Sequence, residues 1–163
     1  MFSTAVGYKL IASDLTAALE RTASQPNVER DSAYYLANIT SIKSVDDFIG
    51  NDRIFKYAMK AFGLEDMDYA KAFMRKILNE GIDDPRSFAN SLTDTRYREF
   101  AETFNFKRHT TVTTIFDRAQ QGTVDRYVRQ TLEVDAGKTN EGVRLALYFQ
   151  RKAEGVDTPF HLM

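Results

Sequence analysis

Apolar residues along this chain recur every three or four positions, which is the spacing of one face of an α-helix. The pattern is clear at positions 54–62, where apolar residues occupy 54, 55, 58, 59 and 62, and again at 69–78. Strict alternation of apolar and polar residues, which is typical of a half-buried strand, is nowhere sustained. The pattern therefore predicts an all-α fold with no sheet.

Prolines and glycines are few, and they stand where helices are expected to begin or end. Pro26 and Pro85 suit the first turn of a helix, where a missing N–H costs nothing. Gly63 and Gly81 follow amphipathic runs and suit the left-handed residue that ends a helix. Ser44 is expected to cap a short helix by accepting hydrogen bonds from backbone N–H groups.

These marks predict one compact domain of about seven to nine short helices over residues 1–155, followed by a tail at 156–163. The expected helices run from Ser13 or Asp14 through Ala23, from Pro26 through Ile39, around Phe48, and over 52–62, 67–79, 85–91, 94–104, 113–119, 123–135 and 139–152.

The acidic group Glu65, Asp66 and Asp68 resembles part of a calcium site, since hard cations prefer carboxylate oxygens. Its spacing argues against that interpretation, because an apolar helix follows at once and the central glycine and terminal glutamate of a calcium loop are missing. We expect Asp66 or Asp68 to cap the following helix instead. Asp83 and Asp84 are expected to begin the next helix in the same way.

The composition excludes several classes of site. The chain has 163 residues, a formal charge of −1 and no cysteine, so disulfides, thiolate metal sites and cysteine nucleophiles are ruled out. A chain of this length buries roughly two-thirds of its unfolded surface, which supplies a sizeable core without such links. A charge near zero argues against a nucleic-acid protein that acts through a strong overall positive field.

The N-terminal stretch lacks the basic start of a Sec signal peptide, and no run approaches the roughly 18 apolar residues of a membrane span. We therefore expect a protein that is cytoplasmic or is exported by a route that reads no such signal. Leu10 and Ile11 belong to an amphipathic stretch that could pair with a partner helix, although packing on the chain's own core is the favoured alternative.

Candidate catalytic residues are scarce. His109 and His161 stand in no metal-ligand or triad spacing, and the cations beside His109 should discourage its protonation. Phosphate-binding loops, nucleophile elbows and zinc motifs are absent from the sequence. We therefore expect no catalytic, cofactor-binding or metal-binding residues, and rank an enzyme below an interaction protein.

Cations provide the remaining candidate surface. Lys107 and Arg108 lie beside Phe104 and Phe106, a pattern that also occurs on single-strand-binding surfaces. The alternative, which we favour, is that Phe104 is core and that the cations complement a helix end. The candidate partner surface comprises Leu10, Ile11, Lys107, Arg108, Arg126 and Arg129.

Five strings make the chain resemble the bacterial family of domain of unknown function 1217. They are DDFIG at 46–50, FKYAMKAFGLEDM at 55–67, YAKAFM at 69–74, SFAN at 87–90 and RLALYF at 144–149. The resemblance covers nearly the whole chain and brings no catalytic residues with it. Longer members of the family continue past the last string with further helices, which leaves open whether the last helices here need a continuation or a neighbouring chain.

The resemblance implies a flagellum-associated structural or accessory protein, because family members often occur beside flagellar genes. Two classes of function are therefore weighed. The first is a non-catalytic flagellar component or assembly factor that contacts flagellar proteins or its own copies through helices, and it predicts an exposed apolar patch. The alternative is a regulatory binding module, with nucleic acid as a disfavoured partner, and it predicts one contiguous basic face.

Overall fold

The computed structural model describes residues 14–139, Tyr148 and Arg151. Within this part of the chain there are helices and no strand, so the predicted all-α fold is confirmed. The α-helices are α1 (Leu15–Ala23), α2 (Pro26–Asn38), α3 (Val45–Gly50), α4 (Asp52–Ala61), α5 (Lys71–Glu80), α6 (Phe88–Ser91), α7 (Thr95–Thr103), α8 (Phe106–His109) and α9 (Gln121–Thr139). Short 3-10 helices cover Ile39–Ser41, Glu65–Met67, Thr110–Ile115 and Asp117–Ala119.

The chain divides into two compact units, one formed by Met1–Gln25 with Thr131–Met163 and the other by Pro26–Gln130. In the first unit, the Glu133 carboxylate is buried and pairs with the Arg151 guanidinium at 3.2 Å. The single domain expected over 1–155 stays a prediction, and the expected tail at 156–163 lies outside the described residues.

The core of the unit Pro26–Gln130 is built around an aromatic cluster. The Phe48 ring centroid lies 5.5 Å from Phe55, 5.9 Å from Phe100, 4.7 Å from Phe104 and 5.9 Å from Phe106. All five side chains are buried. Aromatic pairs at such distances stabilise a core by about 0.5–1.5 kcal/mol beyond the area they bury. The cluster holds α3, α4, α7 and α8 together and so fixes the position of α8.

A stack of three tyrosines forms a second part of this core. The ring of Tyr57 lies between those of Tyr35, at 4.5 Å, and Tyr127, at 3.9 Å. The Tyr35 hydroxyl donates to the Ala119 carbonyl oxygen at 2.6 Å, and the Tyr57 hydroxyl shares a 2.7 Å hydrogen bond with Ser32. Burial is the main reason that the pKa of each of these tyrosines is raised, for Tyr127 to about 12. The stack therefore favours neutral tyrosines.

Several predicted helix ends are confirmed. Pro26 is the first residue of α2, and the Ser44 hydroxyl accepts a hydrogen bond from the Asp47 N–H at 3.0 Å, which caps α3. Gly63 and Gly81 have φ of +73° and +69°, the left-handed region that glycine adopts without a steric penalty. Both glycines follow the ends of helices, as the sequence predicts.

The helix predicted over 85–91 begins only at Phe88, and Pro85 lies in a turn. The Asp84 carboxylate accepts from the Arg86 N–H at 2.8 Å, so a local turn replaces the first helical turn. The Glu80 carboxylate accepts from the Phe88 N–H at 2.8 Å and stabilises the later start. The expectation that Asp84 begins this helix is wrong for the same reason.

The helix predicted over 67–79 also begins late, at Lys71. The sequence predicts that Asp66 or Asp68 caps it, but its N-terminal cap residue is Ala70, which has no side-chain acceptor. Asp66 instead belongs to the 3-10 helix Glu65–Met67, and Asp68 follows that helix. The capping prediction is therefore wrong for both aspartates.

The α-helix predicted over 113–119 is wrong, because 3-10 helices at Thr110–Ile115 and Asp117–Ala119 occupy this stretch. Its threonines are β-branched and can hydrogen-bond the backbone in competition with an α-helix. Further on, a helix is predicted over 123–135, whereas α9 begins at Gln121 and continues past position 135 to Thr139. Most of the helix predicted over 139–152 lies outside the described residues.

Candidate functional site

The 3-10 helix Thr110–Ile115, here called the threonine segment, is held by its buried members. The Thr113 hydroxyl donates to the Thr110 carbonyl oxygen at 2.7 Å, and the Thr114 hydroxyl donates to the Ile42 carbonyl oxygen at 2.8 Å. Both side chains are fully buried. The Thr114 bond ties the segment to Ile42 in the core, and the Thr113 bond holds the turn of the segment itself.

Thr110, the first residue of the segment, has φ 52° and ψ −122°. It is the only non-glycine residue with positive φ among residues 14–139. This conformation is unfavourable for a β-branched residue and costs on the order of 1–3 kcal/mol. Strained backbone that the surrounding structure maintains is a recognised feature of functional surfaces.

Three apolar side chains project into solvent at the end of this segment. Val112 is 46% exposed, Ile115 63% and Phe116 39%. Because Thr113 and Thr114 face the core, their neighbours in the chain face outward. We call Val112, Ile115 and Phe116 the apolar patch; exposed apolar side chains so close together in the chain are candidates for an interaction site.

Arg118 and His109 border the apolar patch. The Arg118 guanidinium lies 4.7 Å from the centroid of the Phe116 ring. The centroid of the His109 ring also lies 4.7 Å from that of Phe116. Burial, followed by the charges of Arg118 and Arg108, lowers the pKa of His109, so this histidine is neutral at pH 7. The expected effect of the neighbouring cations is confirmed, although burial is the larger cause.

Two of the predicted partner residues, Lys107 and Arg108, lie on α8 directly before the threonine segment. The side-chain amide oxygen of Asn105 accepts a hydrogen bond from the Arg108 backbone N–H at 3.1 Å and caps α8. The Arg108 side chain forms an ion pair with Asp83, its Nε lying 3.2 Å from Oδ2, and this pairing lowers the pKa of Asp83. Lys107 is exposed.

The other predicted partner residues lie elsewhere. Arg126, on α9, has its Nη1 3.9 Å from Glu99 Oε2 and its guanidinium 4.5 Å from the Phe62 ring centroid. Arg129, also on α9, is half-buried. Arg126 therefore contacts Glu99 of α7 and the core residue Phe62, whereas Arg108 pairs with Asp83. Leu10 and Ile11 lie outside the described residues.

A groove borders the threonine segment and includes its first residue. It is lined by residues from α3, α5 and α8 and from the turns beside them, chiefly Lys43, Val45, Leu78, Phe106, Lys107 and Thr110. The floor residues Val45, Leu78 and Phe106 are buried, whereas both lysines are exposed. The groove thus combines an apolar floor with two exposed lysines and with Asp46, whose carboxylate pairs with Arg75.

Over residues 14–139, no three or more histidine, aspartate or glutamate side chains are grouped so that they could hold a metal ion. The helices of this part also include none that is long and apolar enough to cross a membrane.

Sequence reasoning missed the apolar patch. Ile115 and Phe116 fall within the helix predicted over 113–119, whereas Val112 precedes it, and no exposed apolar residues are predicted there. The available signal was the run of four threonines at 110, 111, 113 and 114, which disfavours an α-helix. That signal predicts an irregular segment but not which of its side chains are exposed.

Comparison with known proteins places the chain in a family. No curated protein matches it. A crystal structure of a protein from Agrobacterium tumefaciens is similar, with 50% sequence identity and a TM-score of 0.90 over 92% of this chain. The chain spans 65% of the length of that protein's chain. The model of the family described as protein of unknown function (DUF1217) matches residues 61–163, which include α8, the threonine segment and the apolar patch. The chain therefore belongs to the DUF1217 family.

Proposed function

We propose that this protein is a non-catalytic structural or assembly protein of the flagellum that acts through helix-mediated protein contacts. The observation on which the proposal depends is the apolar patch, which the flagellar hypothesis predicts and which a self-contained domain does not need. Burying Ile115, at 63% exposed, and its neighbours against a partner would remove apolar area from water and stabilise a complex. The flagellar setting comes from the family resemblance.

The way in which the patch is presented supports protein contact. The Thr114 hydroxyl ties the threonine segment to the Ile42 carbonyl oxygen at 2.8 Å, and the Thr113 hydroxyl closes its turn at 2.7 Å, so the patch is held in place before a partner arrives. A preorganised surface loses less conformational entropy when it binds. The strained Thr110 is consistent with a segment shaped by its surface role rather than by its own stability.

The non-catalytic part of the proposal is supported by the causes of the shifted pKa values among the described residues. The tyrosines with raised pKa values stack in the core, with burial as the cause. Asp52 and Asp83 have lowered pKa values because each pairs with a cation on the surface. These shifts have structural explanations that require no reaction.

The test begins with deletion of the gene in its host. Flagellation and swimming are scored, and a tagged copy of the protein is followed in isolated flagellar fractions. We expect loss or shortening of filaments and co-fractionation of the tagged protein. Normal flagella together with a protein found only in the cytoplasm would contradict the flagellar proposal.

Complementation then tests the apolar patch. Ile115→Asp places a charge in the centre of the patch and is expected to leave the deletion strain uncorrected. The matched control is Tyr69→Asp, because Tyr69 is 75% exposed and lies outside the patch. The control should restore swimming as the wild-type gene does. Equal restoration by both variants would show that the patch is not the contact surface.

A further inference from the structure

The groove beside the threonine segment has two lysines whose charges are not neutralised. Neither the Lys43 nor the Lys107 ammonium has an ion-pair partner among the described residues, whereas nearby Arg108 is paired with Asp83 and Arg75 with Asp46. Exposed cations that line a groove with an apolar floor favour a ligand with negative charge. The groove is therefore electrostatically complementary to carboxylates.

The backbone positions of both lysines are well defined. A Cβ atom at Gly81 would lie 2.9 Å from the Cβ of Lys107, so the stem of this lysine packs closely against the glycine backbone. The Lys43 N–H donates to the Asp47 carboxylate at 3.0 Å, which joins it to the start of α3. The ammonium groups thus extend from fixed bases at two edges of the groove.

The groove lies close to the apolar patch, because Thr110 lines the groove and stands two residues before Val112 in the same 3-10 helix. A ligand that covers both surfaces needs carboxylates for Lys43 and Lys107 and aliphatic side chains for Val112 and Ile115. An acidic amphipathic helix has this composition, with its apolar side chains on one face. Its carboxylates can reach the lysines from the edge of that face.

We propose that the groove and the apolar patch together bind an acidic amphipathic segment of a partner protein. This inference rests on the proposed function, because it assigns the chemistry of the partner at the same surface. The apolar side chains of the partner contact the patch and contribute most of the affinity. The carboxylates contact Lys43 and Lys107, which orient the segment and accelerate its association.

A nucleic acid fits this surface less well. Single-stranded nucleic acids bind by stacking bases on aromatic faces, and Val112 and Ile115 are aliphatic. Phe116 is the aromatic member of the patch, and Arg118 lies over its ring at 4.7 Å.

The test uses the whole chain and a fluorescein-labelled peptide of about 15 residues, with leucines on one helical face and glutamates on the other. Binding is measured by fluorescence anisotropy. We expect the double variant Lys43→Glu, Lys107→Glu to bind at least about tenfold more weakly, because each exposed ion pair is worth up to about fivefold and charge reversal adds repulsion. Raising the salt from about 50 to 300 mM should weaken wild-type binding.

The matched control is the double variant Lys56→Glu, Lys138→Glu, which has the same net charge but changes lysines outside the groove. It should bind within about twofold of the wild type if position rather than overall charge decides affinity. Far-UV circular dichroism confirms that both variants are folded. A second peptide with lysine in place of glutamate should bind far more weakly than the acidic peptide.

The proposal is overturned if the wild-type chain does not bind the acidic peptide, or if the two double variants bind it equally. It is also overturned if an oligothymidylate binds the groove in preference to the acidic peptide. These outcomes concern the binding of an acidic segment by the groove and the apolar patch. The proposed function fails separately, through normal flagella in the deletion strain or full complementation by Ile115→Asp.

Discussion

Replacing Thr110 with glycine should stabilise this protein, although glycine usually destabilises the segment it enters. Thr110 has φ 52° and ψ −122°, a conformation that glycine adopts freely and that a β-branched residue adopts at a cost. Its side chain is exposed, and the structure gives its hydroxyl no hydrogen bond, while its carbonyl still accepts from Thr113. The substitution therefore removes strain and few contacts.

The magnitude follows from two opposing effects. Relief of the backbone strain at Thr110 contributes about 1–3 kcal/mol to the free energy of unfolding. The greater freedom of glycine in the unfolded chain subtracts about 0.4–1 kcal/mol. We expect a net stabilisation of about 0.5–2 kcal/mol. For a chain of this size, each kcal/mol raises the Tm by about 2–4 °C.

Urea unfolding, followed by circular dichroism, measures the change as a shift of the midpoint at constant slope. The matched control is Thr111→Gly, because Thr111 is also an exposed threonine of the segment but has no positive φ. The control should lower the free energy of unfolding by about 0.4–1 kcal/mol. Destabilisation of similar size by both variants would refute the assignment of strain to Thr110.

Three further predictions concern the core. Phe48→Ala should lower the free energy of unfolding by about 3–5 kcal/mol, since a fully buried ring leaves a cavity; a urea-measured loss below about 1 kcal/mol would contradict the central role of this ring. Tyr35→Phe should cost about 1–3 kcal/mol in the same assay by leaving the buried Ala119 carbonyl oxygen without its donor, and a neutral effect would argue against that hydrogen bond. Stability should also fall as the pH rises from about 10 towards 12, because the folded state keeps protons on Tyr57 and Tyr127 that the unfolded chain has lost. A constant unfolding midpoint across that range would contradict the raised pKa values.

Helices and many of their ends could be predicted because local interactions determine them. The Ser44 cap needs only the N–H of Asp47, three residues further on. Gly63 and Gly81 end helices because of their own backbone freedom. Aspartates near helix starts were harder to assign, since Asp84 forms a turn with Arg86 in place of a helical cap. Two local structures competed there, and the later start at Phe88 also depends on Glu80.

The candidate site was only partly predictable. Lys107 and Arg108 were recognised as candidates from their place in the chain. Arg108 pairs with Asp83, which lies 25 positions away in the chain, whereas Lys107 has no ion-pair partner among the described residues. Neighbouring residues in the sequence do not reveal this difference. Charge patterns along a sequence indicate where cations are, but only packing determines which of them stay available to a partner.

The all-α fold could be predicted from the residue pattern alone, because helical periodicity and capping act over a few residues. The 3-10 conformation of the threonine segment and its outward apolar patch depend instead on contacts between distant parts of the chain. The bond from Thr114 to Ile42 spans 72 positions, and the one from Tyr35 to Ala119 spans 84. Such bonds form only when distant segments meet, so no local pattern encodes which side chains they leave exposed.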